Sequence, residues 1–436
     1  MAKLAGDPST SRFYGWYVVA AVFFVSAVAI GTRQAFGLFV GPWAEEFGVS
    51  VVVISAVSSA GWVVNGLAQP VVGRLTDRFG GRVVMSTGMA VLGSATLLLA
   101  ASPNIWVLAF LHVVVISFAI SGVMFTPSTA LIARWFRRRR GTAMSIVTSG
   151  GSIGGIVLVP LLAYLLILGG WRVTFVAVGA VMLAGALPVL LFVIRDNPED
   201  LGLEPDGGGA DARLDLSQAG GQRRGPLTAD RWPQCFRSAP LWLLGTSYVV
   251  CGVTTAMVGT HYIPFATSEG ISTGVAALAF ALLSFLNLVG VLGAGWLSDR
   301  MPRKNILATV YWVRGIGFVL LAVLPAGIGI WAFAVVAGIS WLATVPLTSA
   351  LASEIYGVKN IGIIVGLLTM VHQLGGAAAV LLAGVSFAVL GSYTPAFAGS
   401  AALLVAAGTA SYMVRERTVS VRYAGAPLAA GAEAGD

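Results

Sequence analysis

Long runs of apolar residues alternate with short polar segments between residues 16 and 414. A helix needs roughly 20 apolar residues to cross a bilayer. Twelve runs meet that length, at 16–40, 51–73, 83–102, 105–131, 141–168, 172–195, 239–266, 273–298, 305–325, 328–352, 361–390 and 393–414. The pattern predicts an all-α integral membrane protein with twelve transmembrane helices, arranged as two pseudo-symmetric six-helix bundles.

The polar segments divide the chain into four parts. We expect an N-terminal bundle over residues 1–195, a cytoplasmic linker over 196–238, a C-terminal bundle over 239–415 and a cytoplasmic tail over 416–436. The linker is rich in glycine and charge, and the tail is rich in alanine and glycine. The first apolar run is long enough to span and lacks a small-residue cleavage pattern, so no cleavable signal sequence is expected.

Composition agrees with a membrane protein. The chain is 57% hydrophobic and 10% charged, with a mean hydropathy of +0.88, whereas soluble domains carry about 25% charged residues. Two cysteines and three histidines favour neither a disulfide framework nor an ordinary zinc site. No nucleophile–base pair stands out, so neither an enzyme nor a cofactor is expected. The net charge of +8 is spread between apolar runs, which argues against nucleic acid as a partner.

The basic residues predict an orientation. Loops after even-numbered runs carry twelve lysines and arginines, and loops after odd-numbered runs carry only Arg172. Cytoplasmic loops are enriched in Lys and Arg. Both termini should therefore lie on the cytoplasmic side of the inner membrane.

A repeat indicates the function class. Gly73-Arg74-Leu75-Thr76-Asp77-Arg78 recurs as Gly295-Trp296-Leu297-Ser298-Asp299-Arg300, 222 residues later. Duplicated halves with several apolar runs each are typical of secondary transporters. An aspartate at a helix end, beside a glycine that allows close approach, can form a charge-assisted hydrogen bond that breaks and reforms as the halves rock. Gly73, Asp77, Arg78, Gly295, Asp299 and Arg300 are therefore predicted to act in conformational change.

This loop resembles the signature of the major facilitator superfamily, although Pro302 replaces the later glycine in the second copy. The resemblance covers residues 13–415. Phe13–Tyr17 and Arg134–Ser145 look like the two family motifs of monocarboxylate transporters and their bacterial relatives, including the oxalate/formate antiporter group. The resemblance implies alternating access around a central site. It also implies an Asp/Arg pair in span eight, but those positions are Asn287 and Val291 here, so that site does not transfer.

Arg33 is the leading candidate for a substrate contact. It lies about two-thirds of the way through the first span, without a carboxylate near it in sequence. A charge at membrane depth is costly and is a functional candidate by default. A guanidinium can hold an anion with two parallel hydrogen bonds. An arginine that snorkels outward or is capped by carbonyls is the structural alternative.

Four uncharged polar residues could complete such a site. Asn65 and Asn287 are separated by the 222-residue repeat offset in spans two and eight, where helix-to-helix hydrogen bonding explains them equally well. His372 and Gln373 lie near the middle of span eleven. His372 could contact a carboxylate or carry a coupling proton, because its reference pKa is about 6.5. A neutral buried histidine bonded to a carbonyl is the alternative.

Other candidates carry less weight. His261 and Tyr262 could line an outer gate, with Trp341 in the cavity. His112 has no polar companion nearby in sequence, so a structural role is favoured, and Arg314 is expected to snorkel or to hydrogen-bond between helices.

These features together predict transport of a small organic anion, notably a monocarboxylate, by a monomer in the lipid bilayer, by proton symport or exchange. One alternative is efflux of a larger amphipathic compound contacting Trp62, Phe118, Phe285 and Trp341. A transporter-like sensor is a further alternative, disfavoured by the short linker and tail.

Overall fold

A computed structural model describes residues 13–49, 51–206, 227, 232–357 and 359–416, and within these ranges the chain is helical, with no strand. We call residues 13–206 the first half and residues 232–416 the second half. The α-helices of the first half are α1 Gly15–Gln34, α2 Val40–Phe47, α3 Val51–Phe79, α4 Gly81–Ala100, α5 Ile105–Phe110, α6 Ser117–Ser121, α7 Phe125–Trp135, α8 Arg140–Ala180 and α9 Leu187–Val193. Those of the second half are α10 Ala239–Ser268, α11 Thr273–Ser298, α12 Arg303–Val323, α13 Ala326–Gly338, α14 Thr344–Tyr356, α15 Ile361–Leu390 and α16 Thr394–Met413.

Short segments of other helix types join these elements. Leu111–Ile116 and Val181–Ala186 are π-helical, while Ala35–Phe39, Pro198–Leu201 and Trp232–Arg237 are 3₁₀-helical. Gly170 has a φ of +72°, which divides α8 close to the predicted boundary between spans five and six. Most of the predicted linker (207–226 and 228–231) and the tail from 417 lie outside the described residues.

Ten helical segments among the described residues are long and apolar enough to cross a membrane. The predicted spans 51–73 and 328–352 are not among the ten. The first corresponds to α3, and the second is interrupted between α13 and α14 by residues 339–343. The predicted fourth span is interrupted in the same way between α6 and α7, at residues 122–124. Polar side chains from other helices bind the backbone of the second break and the helix that ends at the first.

The buried apolar residues form two clusters that follow the two halves. One is drawn almost entirely from residues 18–194 and the other from residues 235–414. Large apolar side chains also cover the outside, for example Ile167, Phe192 and Val323, at 83%, 74% and 75% exposure. Lipid is the solvent that suits such a surface.

Glycines allow the helices of each half to cross closely. A Cβ at Gly154 of α8 would lie 2.2 Å from the carbonyl oxygen of Ala27 in α1. In the second half, a Cβ at Gly252 of α10 would lie 1.8 Å from the carbonyl oxygen of His372 in α15. Small residues at crossings are typical of membrane helices, since they let backbones approach and increase van der Waals contact.

Candidate functional site

The repeated loops lie at one end of the molecule, where each half contacts the other. The Asp77 carboxylate at the end of α3 accepts hydrogen bonds from the backbone N–H groups of Gly362 and Ile363, at 2.8 and 2.9 Å. These groups begin α15 and have no partner within that helix. The positive end of the helix dipole also favours a carboxylate there. A Cβ at Gly73 would lie 2.2 Å from the carbonyl oxygen of Gly362, so the contact requires glycine.

The second copy makes the same kind of contact with the roles of the halves exchanged: its carboxylate lies in the second half and the N–H groups lie in the first. Asp299 at the end of α11 accepts hydrogen bonds from the N–H groups of Gly141 and Thr142, both at 2.9 Å, and from Thr142 Oγ1 at 2.7 Å. Gly141 and Thr142 lie in the first turn of α8. A Cβ at Gly295 would lie 2.1 Å from Ser145 Oγ. We call these two contacts the aspartate latches.

The arginines of the two loops do not take part in the latches. The Arg78 guanidinium lies over the ring of Phe79, 5.0 Å from its centroid. The Arg300 guanidinium stacks 3.8 Å above Trp296 and donates to the Trp296 carbonyl oxygen. Both arginines are exposed and contact their own half.

A buried ion-pair network surrounds the second latch. Arg303 is 1% exposed and contacts Asp299 at 3.0 Å and Glu354 of α14. Glu416 accepts hydrogen bonds from the N–H groups of Arg303 and Lys304, at 3.0 and 2.9 Å, and so caps the start of α12. Burial raises the pKa of the Glu416 carboxyl, and these two donors act in the opposite direction.

The first half has a related cap that sequence reasoning missed. Asp196 accepts a hydrogen bond from the N–H of Arg82 at the start of α4, at 3.0 Å. Asp196 and Glu416 follow the last long helix of their halves and are separated by nearly the repeat offset. This spacing is the sequence feature that could have revealed the two caps.

Asn65 links the first half to the second. Its Nδ2 donates to the Ser117 carbonyl oxygen at 3.0 Å and to Ser121 Oγ at 2.8 Å, in the helix that ends at the first break. Its Oδ1 accepts from Nε2 of Gln373, in the other half, at 2.6 Å. Asn65 is fully buried.

Asn287 makes the matching link. Its Oδ1 accepts from the N–H of Leu342 at 2.8 Å, inside the second break, and its Nδ2 donates to Ser152 Oγ of α8 at 3.0 Å. Each asparagine therefore connects the broken helix of its own half to a helix of the opposite half. We call these contacts the amide links. Both amides are occupied by protein partners in this conformation.

His372 and Gln373 point to different surroundings although they are adjacent. Gln373 faces Asn65, and its buried Oε1 has no hydrogen-bond partner within the part of the chain that the structure describes. His372 is 8% exposed and packs within the second half, with its ring 4.7 Å from that of Tyr248. Its Nε2 is also buried and has no partner among the described residues.

The predicted gate and cavity residues are held inside the second half. His261 Nε2 lies 2.9 Å from the carbonyl oxygen of Val380. Tyr262 is 1% exposed and donates to the carbonyl oxygen of Ile330 at 2.7 Å. The Trp341 ring packs against Phe280.

Arg314 is a fully buried cation that holds the second break. It donates to Thr254 Oγ1 of α10 and Thr344 Oγ1 of α14, each at 3.3 Å. It also donates to the carbonyl oxygens of Ser340 and Trp341, which the break removes from helical hydrogen bonding. These contacts agree with the expected interhelical role.

Arg33 lines a small cavity in the first half. The cavity has a volume of about 110 Å³, with walls that include Thr32, Arg33, Trp62 and His112. The Arg33 guanidinium stacks 3.8 Å from the Trp62 ring centroid. Within the described part of the chain its sole hydrogen-bond partner is the weak acceptor Met124 Sδ, at 3.8 Å.

Packing fixes the position of this guanidinium. A Cβ at Gly31 would lie 2.8 Å from the backbone of Gly154, so α1 meets α8 two residues before Arg33. Arg33 follows in the last turn of α1, beyond this crossing. The guanidinium is thus held beside a cavity, and among the described residues Met124 Sδ is the one atom that accepts a hydrogen bond from it.

The structure does not gather the five predicted binding residues around this cavity. Asn65 and Gln373 meet at the first amide link, Asn287 lies at the second, and His372 packs within the second half. His112 does share the cavity with Arg33. Its polar companion is distant in sequence, so the local pattern around His112 could not reveal it.

The comparisons with known proteins agree over most of the chain. A family model described as Major Facilitator Superfamily matches residues 22–380 and 248–430. An uncharacterized MFS-type transporter of Bacillus subtilis, YcxA, is 27% identical over 390 residues, covering 88% of this chain and 91% of that protein. Monocarboxylate transporter 13 of Bos taurus is 28% identical over 397 residues, covering 90% and 87%.

A solved structure supports the fold independently. The proton:xylose symporter XylE superimposes with a TM-score of 0.73 over 91% of this chain and 94% of that one, at 16% identity. This likeness concerns the fold alone.

Proposed function

The chain belongs to the Major Facilitator Superfamily, and from that premise we propose that it moves a small organic anion, of the monocarboxylate class, across the cytoplasmic membrane. The transporter works by alternating access as a monomer. Its two six-helix bundles expose the site to either side in turn. The repeated loops and both termini face the cytoplasm, following the bias of basic residues.

The observation that carries the proposal is the Arg33 guanidinium. It lines a cavity at membrane depth, and among the described residues no carboxylate pairs with it. Removing a cation from water without a counter-charge is costly. A bound carboxylate supplies that charge, and the planar guanidinium can hold both of its oxygens. The similarity to proteins named monocarboxylate transporters supports the same class.

The size of the cavity favours a small solute. Its volume is about 110 Å³. Pockets for drug-sized ligands measure about 300–1,000 Å³. Efflux of a larger amphipathic compound would need a cavity several times the size of the one beside Trp62.

The contacts between the halves support alternating access. The aspartate latches and the amide links join the two halves. Both kinds of contact must break before the halves can separate at the end of the molecule that carries the repeated loops. Coupling to protons is assigned to His372 or to a proton carried by the substrate. Exchange without a proton fits the same site.

The test is binding and uptake of labelled carboxylates by purified protein in proteoliposomes, with Arg33→Gln and Arg33→Lys. Loss of a charge-assisted bidentate contact should weaken binding by roughly 100-fold or more in Arg33→Gln. Arg33→Lys should keep part of the affinity, because an ammonium keeps the charge but not the planar fork.

Arg172→Gln provides a matched control. Arg172 also stacks on a tryptophan, Trp171, but it is exposed and pairs with Glu46. Exposed ion pairs contribute about 0–1 kcal/mol, so this variant should bind like the wild type. Wild-type affinity in Arg33→Gln would refute the proposed site.

A further inference from the structure

His112 lies on the wall of the cavity that Arg33 also lines. It belongs to the π-helical segment Leu111–Ile116, between α5 and α6. A π-helical turn widens the backbone, and such bulges are frequent at functional sites. The widened turn is stabilised by Ser117, whose Oγ donates to the His112 carbonyl oxygen at 2.8 Å.

The imidazole of His112 has unused hydrogen-bonding capacity. Neither ring nitrogen has a hydrogen-bond partner among the described residues, and the residue is half-buried on the wall of the cavity. His261, by contrast, is bonded to a carbonyl oxygen, and Nε2 of His372 is enclosed. Among the described residues, His112 therefore differs from His261 in lacking a hydrogen-bond partner and from His372 in lining a small cavity.

Neighbouring side chains hold the ring without using its nitrogens. The ring centroid is 4.9 Å from that of Phe36 and 6.5 Å from that of Trp43. Gly61 lies beside the ring, where a Cβ would be 3.6 Å from His112 Cδ2 and 3.8 Å from Nε2, both ordinary contact distances. Aromatic packing thus orients the imidazole on the wall of the cavity.

We propose that His112 is a second substrate contact, donating a hydrogen bond from its ring to the anion held by Arg33. The inference rests on the proposed function. It adds a residue that comes from the same half as Arg33 and lines the same cavity. A neutral imidazole has one N–H donor and one acceptor nitrogen, so it can bind a carboxylate oxygen without adding a second charge.

Binding of propionate by purified protein in nanodiscs tests this role, with His112→Phe and His112→Gln. Phenylalanine keeps a ring against Phe36 and Trp43 but removes both nitrogens, whereas glutamine keeps a donor. A hydrogen bond to a charged group accounts for roughly a 10- to 100-fold change in affinity. The Kd should rise by that factor in His112→Phe and by less in His112→Gln.

A spectroscopic readout separates contact from structural support. In ¹⁵N-histidine-labelled protein the chain gives signals from three histidines, and that of His112 is identified by its loss in His112→Phe or His112→Gln. Propionate should shift the His112 ring nitrogens with the same Kd as binding, while potassium chloride at equal ionic strength should not. This measurement needs only the wild type and one folded variant.

The outcomes distinguish the two proposals. An unshifted His112 signal, or wild-type affinity in His112→Phe, overturns the role of His112 while Arg33 stands. Wild-type affinity in Arg33→Gln overturns the proposed site and the inference with it. Failure of wild-type protein to bind propionate also removes both.

Discussion

Replacing Asp77 by asparagine should open the latched end of the molecule. Asp77 accepts two backbone hydrogen bonds across the halves, from Gly362 and Ile363. Asparagine has one acceptor oxygen, so one N–H loses its partner and the charge facing the helix dipole disappears. A hydrogen bond to a charged group contributes about 1.5–3 kcal/mol and the dipole term about 0.3–1 kcal/mol.

Because Asp77 is only partly buried, we take about 2–3 kcal/mol for the combined loss. That corresponds to a shift of roughly 30- to 150-fold in the ratio of closed to open conformations. The latch lies away from the cavity around Arg33, so the intrinsic affinity for the anion should change less than turnover does. The Asp299 latch remains in place and should limit the opening.

The distance between two spin labels, one on each half near the repeated loops, measures this shift directly. Arg74→Cys and Lys359→Cys place labels at exposed sites in different halves, and the native Cys235 and Cys251 are buried. Asp77→Asn should move the distance distribution toward longer values and change the transport rate. Glu45→Gln, which removes an exposed carboxylate, is the control. An unchanged distance distribution and rate, with weakened binding, would refute the latch.

Three further substitutions test other parts of the structure. Gly73→Ala places a Cβ about 2.2 Å from a backbone oxygen and should block full closure in the same spin-label assay, whereas Gly259→Ala, with no atom within 4 Å, should not. Arg314→Gln should lower the thermal midpoint by several degrees, because buried carbonyls at the second break lose their donor; an unchanged midpoint would contradict that role. His372→Gln should keep substrate exchange but lose acceleration by an inward proton gradient, and retained acceleration would remove His372 from coupling.

Several helix bounds could be predicted from the sequence because local signals mark them. The observed helices Thr273–Ser298 and Ile361–Leu390 have the predicted limits. Ser272 accepts a hydrogen bond from the Val275 N–H at one start. Gly391, with a φ of +66°, ends the other. Such caps act within a few residues and can be read locally.

The helix breaks could not be predicted in this way. Hydropathy sums over residues 105–131 and 328–352 remain high, since a break changes backbone hydrogen bonding and not side-chain polarity. The groups that satisfy the broken backbone come from other helices. Arg314 and Asn287 bind the second break, and Asn65 binds the helix that ends at the first.

The sequence points to only part of the cavity around Arg33 for a related reason. Arg33 was identified because a charge at membrane depth is conspicuous in sequence. His372 and Gln373 were grouped because they are adjacent, but adjacent residues on a helix do not face the same way. Gln373 reaches the first half while His372 stays in the second. His112 gives no such signal, because Arg33, which shares its cavity, is remote in the chain.

The features of this chain separate into those that occur twice and those that occur once. The aspartate latches and the amide links occur in both halves. When two similar halves rock about a shared interface, related contacts in each half must break and form. Contacts that occur in both halves are therefore suited to a role in the conformational change. A small anion has no such symmetry, and one guanidinium is enough to hold its charge. Arg33 has Thr255 at the repeat offset, and His112 has Ala334. The absence of a partner in the repeat is therefore what a solute contact should show, and it distinguishes Arg33 and His112 from the paired Asn65 and Asn287, which we expect to act in the movement between states.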